Sequence, residues 1–274
     1  MNSQLIIEDK RLEPIAAKVL ANERLTFEDG LSLYRTHDLL ALGWLANHVR
    51  EQKNGNVVYY NVNRHLNPTN VCVAHCRLCA FGRDNDAPGA YTMAVEEAVR
   101  TAASGYTEAV TEFHIVGGLH PDLPFDYYCD LLRALKQRFP RVHLKAFTMV
   151  EVQYLAKLAK LSIRDTLLKL KEAGLDSHPG GGAEIFHPRV RKVICDHKTS
   201  GMMWLQIART AHELGLHSNA TMLYGHIETE EERVDHLLKL RELQDETRGF
   251  VCFIPLAFHP ENTALSHLPK TTGM

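Results

Sequence analysis

Strand-like segments that alternate with helical segments are the feature that most restricts the fold of this chain. Six runs that read as strands are separated by long segments with helical spacing or capping residues. Each repeat takes roughly 30–40 residues, too many for a hairpin, so successive strands are joined by crossovers and run parallel. We therefore predict an α/β fold, a partial (β/α)6 TIM-like barrel with helices on its outer side. The predicted strands cover residues 56–63, 111–118, 142–148, 174–182, 217–225 and 250–258.

The pattern divides the chain into two predicted regions. Residues 1–55 carry apolar residues at three- and four-residue spacing without strand alternation, which predicts an N-terminal helical extension. Residues 56–274 form the predicted barrel. Its last strand is nearly all apolar, as expected of a parallel strand covered on both faces, yet the polar sequence after it is too short for a covering helix. We therefore expect the barrel to be incomplete at its C-terminal end, either because the chain is cut short, which is the simpler account, or because a partner covers the last strand.

Three hydroxyl residues stand at predicted helix starts. Ser162 and Thr229 are each followed three residues later by an acid, the capping-box pattern. Thr92 precedes the segment 93–104, which has acids in its first turn. Each of the three is predicted to be an N-cap.

Composition excludes several classes of partner. The chain has 31 Lys and Arg residues against 33 Asp and Glu residues, so its charge gives no reason to expect nucleic acid or an anionic membrane as partner. No apolar run is long enough to span a bilayer, and the N-terminus lacks the layout of a signal peptide. We therefore expect a cytoplasmic protein, in which disulfides are improbable. Cys129, Cys195 and Cys252 are scattered and are predicted to be small buried hydrophobic residues.

Cys72, Cys76 and Cys79 lie within eight positions of one another. A structural zinc site needs four protein ligands, and His75 inside the same loop would be a strained fourth ligand. A cubane iron–sulfur cluster has four irons, so three thiolates hold three of them and leave one open to an exogenous ligand. The spacing favours the cluster, and zinc remains the alternative.

The CxxxCxxC spacing after a strand resembles the signature of the radical S-adenosylmethionine (SAM) superfamily. The resemblance implies a partial barrel of the radical SAM type, a [4Fe–4S] cluster on these three cysteines, and SAM chelating the open iron. It further implies that one electron, supplied by a donor such as flavodoxin or ferredoxin, cleaves SAM and releases a 5′-deoxyadenosyl radical. One departure is Leu78, which stands where the superfamily usually has an aromatic residue. Phe81 is the candidate for that apolar cover of the cofactor.

Other residues match the cofactor-binding motifs of the superfamily. The resemblance implies that the backbone of Gly117 and Gly118, in "HIVGG", contacts the methionine amino group, although a tight turn explains the same glycines equally well. Glu228 matches a motif near adenine, and it is also a good helix-start acid. The other implied contacts are Tyr224 and Gly225 near adenine, and Ser218 and Asn219 near the ribose.

Longer strings narrow the resemblance to the aminofutalosine synthases of menaquinone biosynthesis by the futalosine pathway. These strings include "YYNVNRHLNPTNVC", "VHLKAFTMVE" and "NATMLYGHIETEEERVDHL". The family implies a transferase that uses SAM as co-substrate. It adds the 5′-deoxyadenosyl group to 3-[(1-carboxyvinyl)oxy]benzoate and, after rearrangement and decarboxylation, releases 6-amino-6-deoxyfutalosine. The alternatives are a dehypoxanthine futalosine cyclase-like enzyme and a non-catalytic iron–sulfur-binding fragment.

The two carboxylates of that substrate require cationic or polar donors at the carboxyl ends of the barrel strands. Arg83 follows the cysteine loop, His65 precedes it, and His259 follows the last predicted strand, so these three are the catalytic candidates. Weaker candidates of the same kind are Asn67, His178 and Glu184. Each of these side chains could instead serve a structural role.

Overall fold

The computed structural model describes residues 5–271. The chain divides into two compact units, Met1–Tyr60 with Thr229–Leu238 and Asn61–Glu228 with Lys239–Met274. The boundary expected from the sequence between residues 55 and 56 stays a prediction. Among the described residues, none of the helices combines the length and the apolar character needed to cross a membrane.

The first unit is built from helices. Its first three α-helices are α1 (Glu13–Leu20), α2 (Phe27–Tyr34) and α3 (Leu39–Asn54). Thr26 and Asp29 form a reciprocal capping box at the start of α2, and Asp29 also pairs with Lys18 at 2.7 Å. The buried apolar cluster of this unit consists of Leu12, Ile15, Ala16, Val19, Ala41 and Leu45.

The second unit contains the sheet. Six strands pair in chain order, each parallel to the next, and curl into a half-barrel with helices outside. This confirms the predicted partial (β/α)6 barrel. The strands are β1 (Asn63–Leu66), β2 (Glu112–Ile115), β3 (His143–Ala146), β4 (Ser177–His178), β5 (His217–Tyr224) and β6 (Phe250–Ala257). The remaining helices are α4 (Val95–Ala103), α5 (Phe125–Arg138), α6 (Met149–Ala159), α7 (Ile163–Glu172), α8 (Pro188–Ile194), α9 (Gly201–Glu213) and α10 (Glu230–Thr247).

Side chains on the first strands alternate between an apolar outer face and a polar inner face. On β2, Phe113 and Ile115 are fully buried in the main core together with Leu144 of β3. The intervening His114 lines a cavity on the other side of the sheet. Because successive strand residues point to opposite faces, the helices cover the apolar side and the barrel interior receives the polar residues.

The first strand differs from its prediction. Residues 56–62 are not a strand, and Val58, Tyr59 and Tyr60 are 82%, 85% and 89% exposed. β1 starts at Asn63, which pairs with Glu112 at the beginning of β2. Residues before Asn63 therefore have no strand beside them to pair with. A high β propensity does not form a strand without such a partner.

One of the predicted helix caps is also wrong. The Thr92 hydroxyl lies 2.9 Å from that of Thr69, and α4 begins at Val95 without a side-chain cap. The other two caps are confirmed. Ser162 Oγ accepts from the Asp165 amide at 3.0 Å, and Thr229 Oγ1 accepts from the Glu232 amide at 3.3 Å.

The last strand, β6, lies uncovered at the edge of the sheet. Val251 is 67% exposed and Phe253 is 41% exposed, although both are apolar. Cys252 on the same strand is exposed, so the prediction that it is buried is wrong, whereas Cys129 and Cys195 are buried as predicted. No helix follows β6 within the described residues to cover Val251 and Phe253.

His178 at the end of β4 makes the stability of the fold pH-dependent. Its ring is buried, with Nδ1 3.1 Å and 2.7 Å from the carbonyl oxygens of Ala146 and Phe147, and Nε2 has no hydrogen-bond partner among the described residues. Burial lowers the pKa of His178 to about 4 from the ordinary 6.5. Between these values the unfolded chain binds the proton more readily than the folded chain, so stability is lost as the pH falls.

We expect His178 to contribute a loss of about 2 kcal/mol in the free energy of unfolding between pH 6.5 and pH 5. Denaturant unfolding of wild type and His178→Gln at the two pH values measures this contribution, because the glutamine variant should lose less stability on acidification. His267→Gln, at an exposed histidine, is the control and should behave as wild type. An equal pH-dependent loss in His178→Gln and wild type would contradict the assignment.

Candidate active site

A cavity of about 440 Å³ opens at the carboxyl end of the barrel strands. Its walls come from β1, β2, β5 and β6, from the loops that follow β1, β2 and β4, from the start of α6, and from the loop between α8 and α9. Cys72, Cys76 and Cys79 all line it. Residues from both ends of the sheet therefore meet in one enclosed space.

The cysteine loop is held by its own backbone. The Cys72 amide donates to the carbonyl of Arg83, and the Cys79 amide donates to that of Cys76, both at 3.0 Å. The Gly82 amide lies 3.3 Å from Cys79 Sγ. These contacts fold residues 72–83 back on themselves, so that the three thiols face one cavity.

The donor set fits a cluster with one open corner. Among the described residues, no group of three or more His, Cys, Asp or Glu side chains forms a single-ion site. The three cysteines that line the cavity offer thiolates, the ligand type that an iron–sulfur cubane takes. The nearby Cys195 is buried and does not line the cavity, although its thiol interacts electrostatically with Cys76. Burial raises the pKa of Cys76 to about 11, so its thiolate form depends on a bound cation.

Gly117 and Gly118 bring the end of β2 against the cysteine loop. The Gly118 amide donates to the Thr69 carbonyl at 2.9 Å. A Cβ at Gly118 would lie 2.0 Å from the carbonyl oxygen of Val71 and 3.0 Å from Cys72 Cβ. This close approach of two backbones requires glycine. The role predicted for these glycines in binding a methionine amino group stays a prediction.

Glu151 is a site residue that sequence reasoning missed. It is buried and lines the cavity, with Oε1 accepting from the Gly117 amide at 3.0 Å and Oε2 from the Thr148 amide at 2.7 Å. Burial raises the pKa of Glu151 despite these hydrogen bonds. The capping-box spacing in "TMVE" was the available signal, and it locates the start of α6 but not the contact with Gly117.

Lys198 is the second missed residue, and its charge is already paired. Its Nζ lies 2.6 Å from Glu184 Oε1, and the two side chains are 16% and 9% exposed. Burial acts to lower the pKa of Lys198 and to raise that of Glu184. Their mutual attraction, their hydrogen bond and neighbouring charges together outweigh burial, so the pKa of Lys198 is raised, that of Glu184 is lowered, and both groups are charged. Of the two, Lys198 lines the cavity.

The structure brings five of the non-cysteine candidates into the cavity and leaves the others outside it. Those that line it are His65, Phe81, Gly117, Gly118 and Asn219. The Ser218 hydroxyl is buried on the opposite side of β5, 2.9 Å from His212 Nε2, because alternate strand residues face opposite ways. Glu228 accepts from the amides of Gly225 and His226, so it stabilises the turn that follows β5. Tyr224 ends β5 and is likewise not part of the cavity wall.

Arg83 and His259 also lie outside this cavity. Arg83 is exposed, and its guanidinium donates to the carbonyl oxygens of Ala80 and Gly82, both at 2.9 Å. It lines a second cavity, on another side of the same three cysteines. The His259 side chain is 65% exposed and lies 4.0 Å from Glu261. Catalytic roles for these two residues stay predictions without support from the geometry.

Of the weaker candidates, His178 and Asn67 have structural contacts. His178 is buried between β3 and β4 as described above, and Asn67 Nδ2 donates to the Val116 carbonyl at 2.8 Å. Neither residue lines the cavity.

Comparison with known proteins is consistent with this site. The family model "Radical SAM superfamily" matches residues 66–240. An aminodeoxyfutalosine synthase of Thermus thermophilus is 53% identical over 272 residues, covering 98% of this chain and 73% of the relative. One of Streptomyces coelicolor is 54% identical over 241 residues, covering 88% of this chain and 62% of the relative. The chain thus spans 73% of the length of the first relative and 62% of that of the second.

A second type of enzyme and a solved structure are also similar. A cyclic dehypoxanthine futalosine synthase of Streptomyces coelicolor is 37% identical over 269 residues, covering 97% of this chain and 67% of the relative. The crystal structure of a methylornithine synthase superposes with a TM-score of 0.71 at 18% identity, covering 94% of this chain and 72% of that one. This last similarity shows the fold alone.

Proposed function

Because the chain belongs to the radical SAM superfamily, in the group that contains the aminodeoxyfutalosine synthases, we propose that it is a radical SAM transferase that makes 6-amino-6-deoxyfutalosine. Its substrates would be SAM and 3-[(1-carboxyvinyl)oxy]benzoate. The observation that carries the proposal is that Cys72, Cys76 and Cys79 line one cavity in a chain with 53% identity to such a synthase.

The cofactors of this superfamily are a [4Fe–4S] cluster and SAM, which together supply a 5′-deoxyadenosyl radical. The three cysteines would hold the cluster. The Gly117–Gly118 turn, fixed by Glu151, would present backbone groups to the methionine end of SAM, and Asn219 would contact its ribose. Phe81 would supply apolar cover. Glu228 and Tyr224, outside the cavity wall, would act near adenine through the turn at Gly225.

The protein must keep water away from the reacting groups. The cavity wall includes the apolar residues Leu78, Val116, Val150, Ile254 and Leu256. Such a wall strengthens the electrostatic contacts inside it and limits side reactions of a radical. His65 is the one catalytic candidate from the sequence that lines this space, so we place substrate binding there.

An electron donor is the implied protein partner, with flavodoxin or ferredoxin as examples. Support comes from the second cavity beside the cysteines, where Arg77 and Arg83 outnumber the one acid in the wall, Asp84. Cys79 is exposed, so a docked donor could approach the cluster from this side. The two guanidinium groups would favour an acidic donor surface.

The alternative activity is that of the cyclase. It is favoured by the similarity to the cyclic dehypoxanthine futalosine synthase, which covers almost the whole chain. The lower identity, 37% against 53%, places it second.

The deciding experiment uses the anaerobic, cluster-reconstituted protein with a reductant and SAM. With 3-[(1-carboxyvinyl)oxy]benzoate we expect 6-amino-6-deoxyfutalosine and methionine, detected by mass spectrometry. Formation of 5′-deoxyadenosine only with dehypoxanthine futalosine would instead establish the cyclase. A reduced cluster whose spectrum does not change on addition of SAM would point to a non-catalytic protein, and zinc without iron would exclude the whole proposal.

A further inference from the structure

Two histidine rings face the cavity from neighbouring strands. His65 on β1 and His114 on β2 are register partners, and both line the cavity. Their rings stack with centroids 4.8 Å apart and planes at 20°. Within residues 5–271, neither ring has a hydrogen-bond partner, so their nitrogens are open to a ligand in the cavity.

The other charged groups that line the cavity already have partners. Glu151 accepts hydrogen bonds on both of its oxygens, and the charge of Lys198 is balanced by Glu184. Asn219 is a further open polar group, with a buried Oδ1 that has no partner among the described residues. Of the His, Lys and Glu side chains in this wall, the two imidazoles are therefore the ones open to an anionic ligand, with the Asn219 amide as a neutral N–H donor.

The charges around the histidine pair are balanced when the cavity is empty. On β3, Lys145 is the register partner of His114, and it pairs with Glu112 of β2 at 2.7 Å. Cys252 of β6 and His143 of β3 are further titratable groups near Lys145 and Glu112. Burial, with the added influence of His65, lowers the pKa of His114 to about 4, so the ring is neutral near pH 7. A carboxylate beside the ring would favour its protonated form.

We propose that His65 and His114 bind the benzene-ring carboxylate of the substrate. This inference rests on the proposed function. Both histidines lie on strands, one residue before the strand ends, whereas the cysteines lie in the loop beyond β1. The vinyl carbon must meet the radical near that loop. The ring carboxylate, at the other end of the molecule, then points into the barrel toward the histidines.

The test measures binding to the cluster-loaded protein with SAM and without reductant, so that no turnover occurs. The probes are benzoate and its neutral counterpart methyl benzoate, titrated by calorimetry at about pH 6, where benzoate is ionised and a carboxylate can protonate the ring, in two buffers of different ionisation enthalpy. We expect His114→Gln to weaken benzoate binding at least tenfold, with a smaller but measurable loss in His65→Gln. Proton uptake on benzoate binding should be present in wild type and absent in His114→Gln. His267→Gln, at an exposed histidine, should match wild type.

The ester separates a carboxylate contact from a structural effect. We expect methyl benzoate to bind wild type and His114→Gln equally. Equal weakening of acid and ester, unchanged benzoate binding in His114→Gln, or no benzoate binding to wild type would each overturn the inference. Benzoate lacks the vinyl group, so its binding does not depend on the proposed reaction. If benzoate binds through the histidines but the protein forms no adduct with the full substrate, the proposed function is rejected and the carboxylate site stands.

Discussion

Replacing any one of Cys72, Cys76 and Cys79 with alanine is expected to reduce bound iron from about four atoms per chain to near background. The three thiols are the cysteine thiols among the described residues that line the cavity. Two remaining thiolates cannot hold a cubane that already has one corner without a protein ligand. Iron and sulfide analysis of the anaerobically reconstituted variants measures the loss, and product formation should disappear with it.

Cys195→Ala is the sharpest control for this prediction. Cys195 is buried, and its thiol interacts electrostatically with that of Cys76, so it is the cysteine best placed to act as a fourth ligand. We expect Cys195→Ala and Cys129→Ala to retain iron at the wild-type level. Loss of iron in Cys195→Ala would mean that the protein fills the fourth corner, which leaves no place for SAM.

Lys198→Met is expected to lower the free energy of unfolding by about 3–5 kcal/mol. Its ammonium group lies 2.6 Å from the Glu184 carboxylate, and both side chains are largely buried. Removing the ammonium leaves a buried carboxylate without its closest counter-charge. The nearby Arg191 does not replace it, because its guanidinium is bonded to carbonyl oxygens of the surrounding loops, including those of Ala183 and Thr199.

Denaturant unfolding of the metal-free protein measures this effect without a contribution from the cluster. Arg209→Met is the matched control, because Arg209 pairs with Glu246 at 2.7 Å on the surface, where such a pair contributes less than about 1 kcal/mol. We expect the double variant Lys198→Met with Glu184→Leu to recover much of the lost stability. A loss in Lys198→Met no greater than in Arg209→Met would show that the pair is not buried in solution.

Sequence reasoning predicted the features that depend on local patterns. Strand–helix alternation predicted the parallel half-barrel, and the spacing of the cysteines predicted that three of them meet at one site, where they line one cavity. The strands after the first were located within a few residues, because each contains its own apolar pattern and turn residues. The strand predicted for residues 56–62 is absent, because a strand also needs a neighbouring strand to pair with.

Only the tertiary structure decided which polar side chains meet in the cavity. Arg83 is close to the cysteines in sequence, yet its guanidinium turns toward the carbonyl oxygens of its own loop. His114 is 49 positions from His65 along the chain but next to it in the sheet (114 − 65 = 49). Contacts between residues far apart in the sequence depend on strand register and on the path of the long crossovers. A local sequence pattern does not contain this information, so it could not predict that His65 and His114 are neighbours.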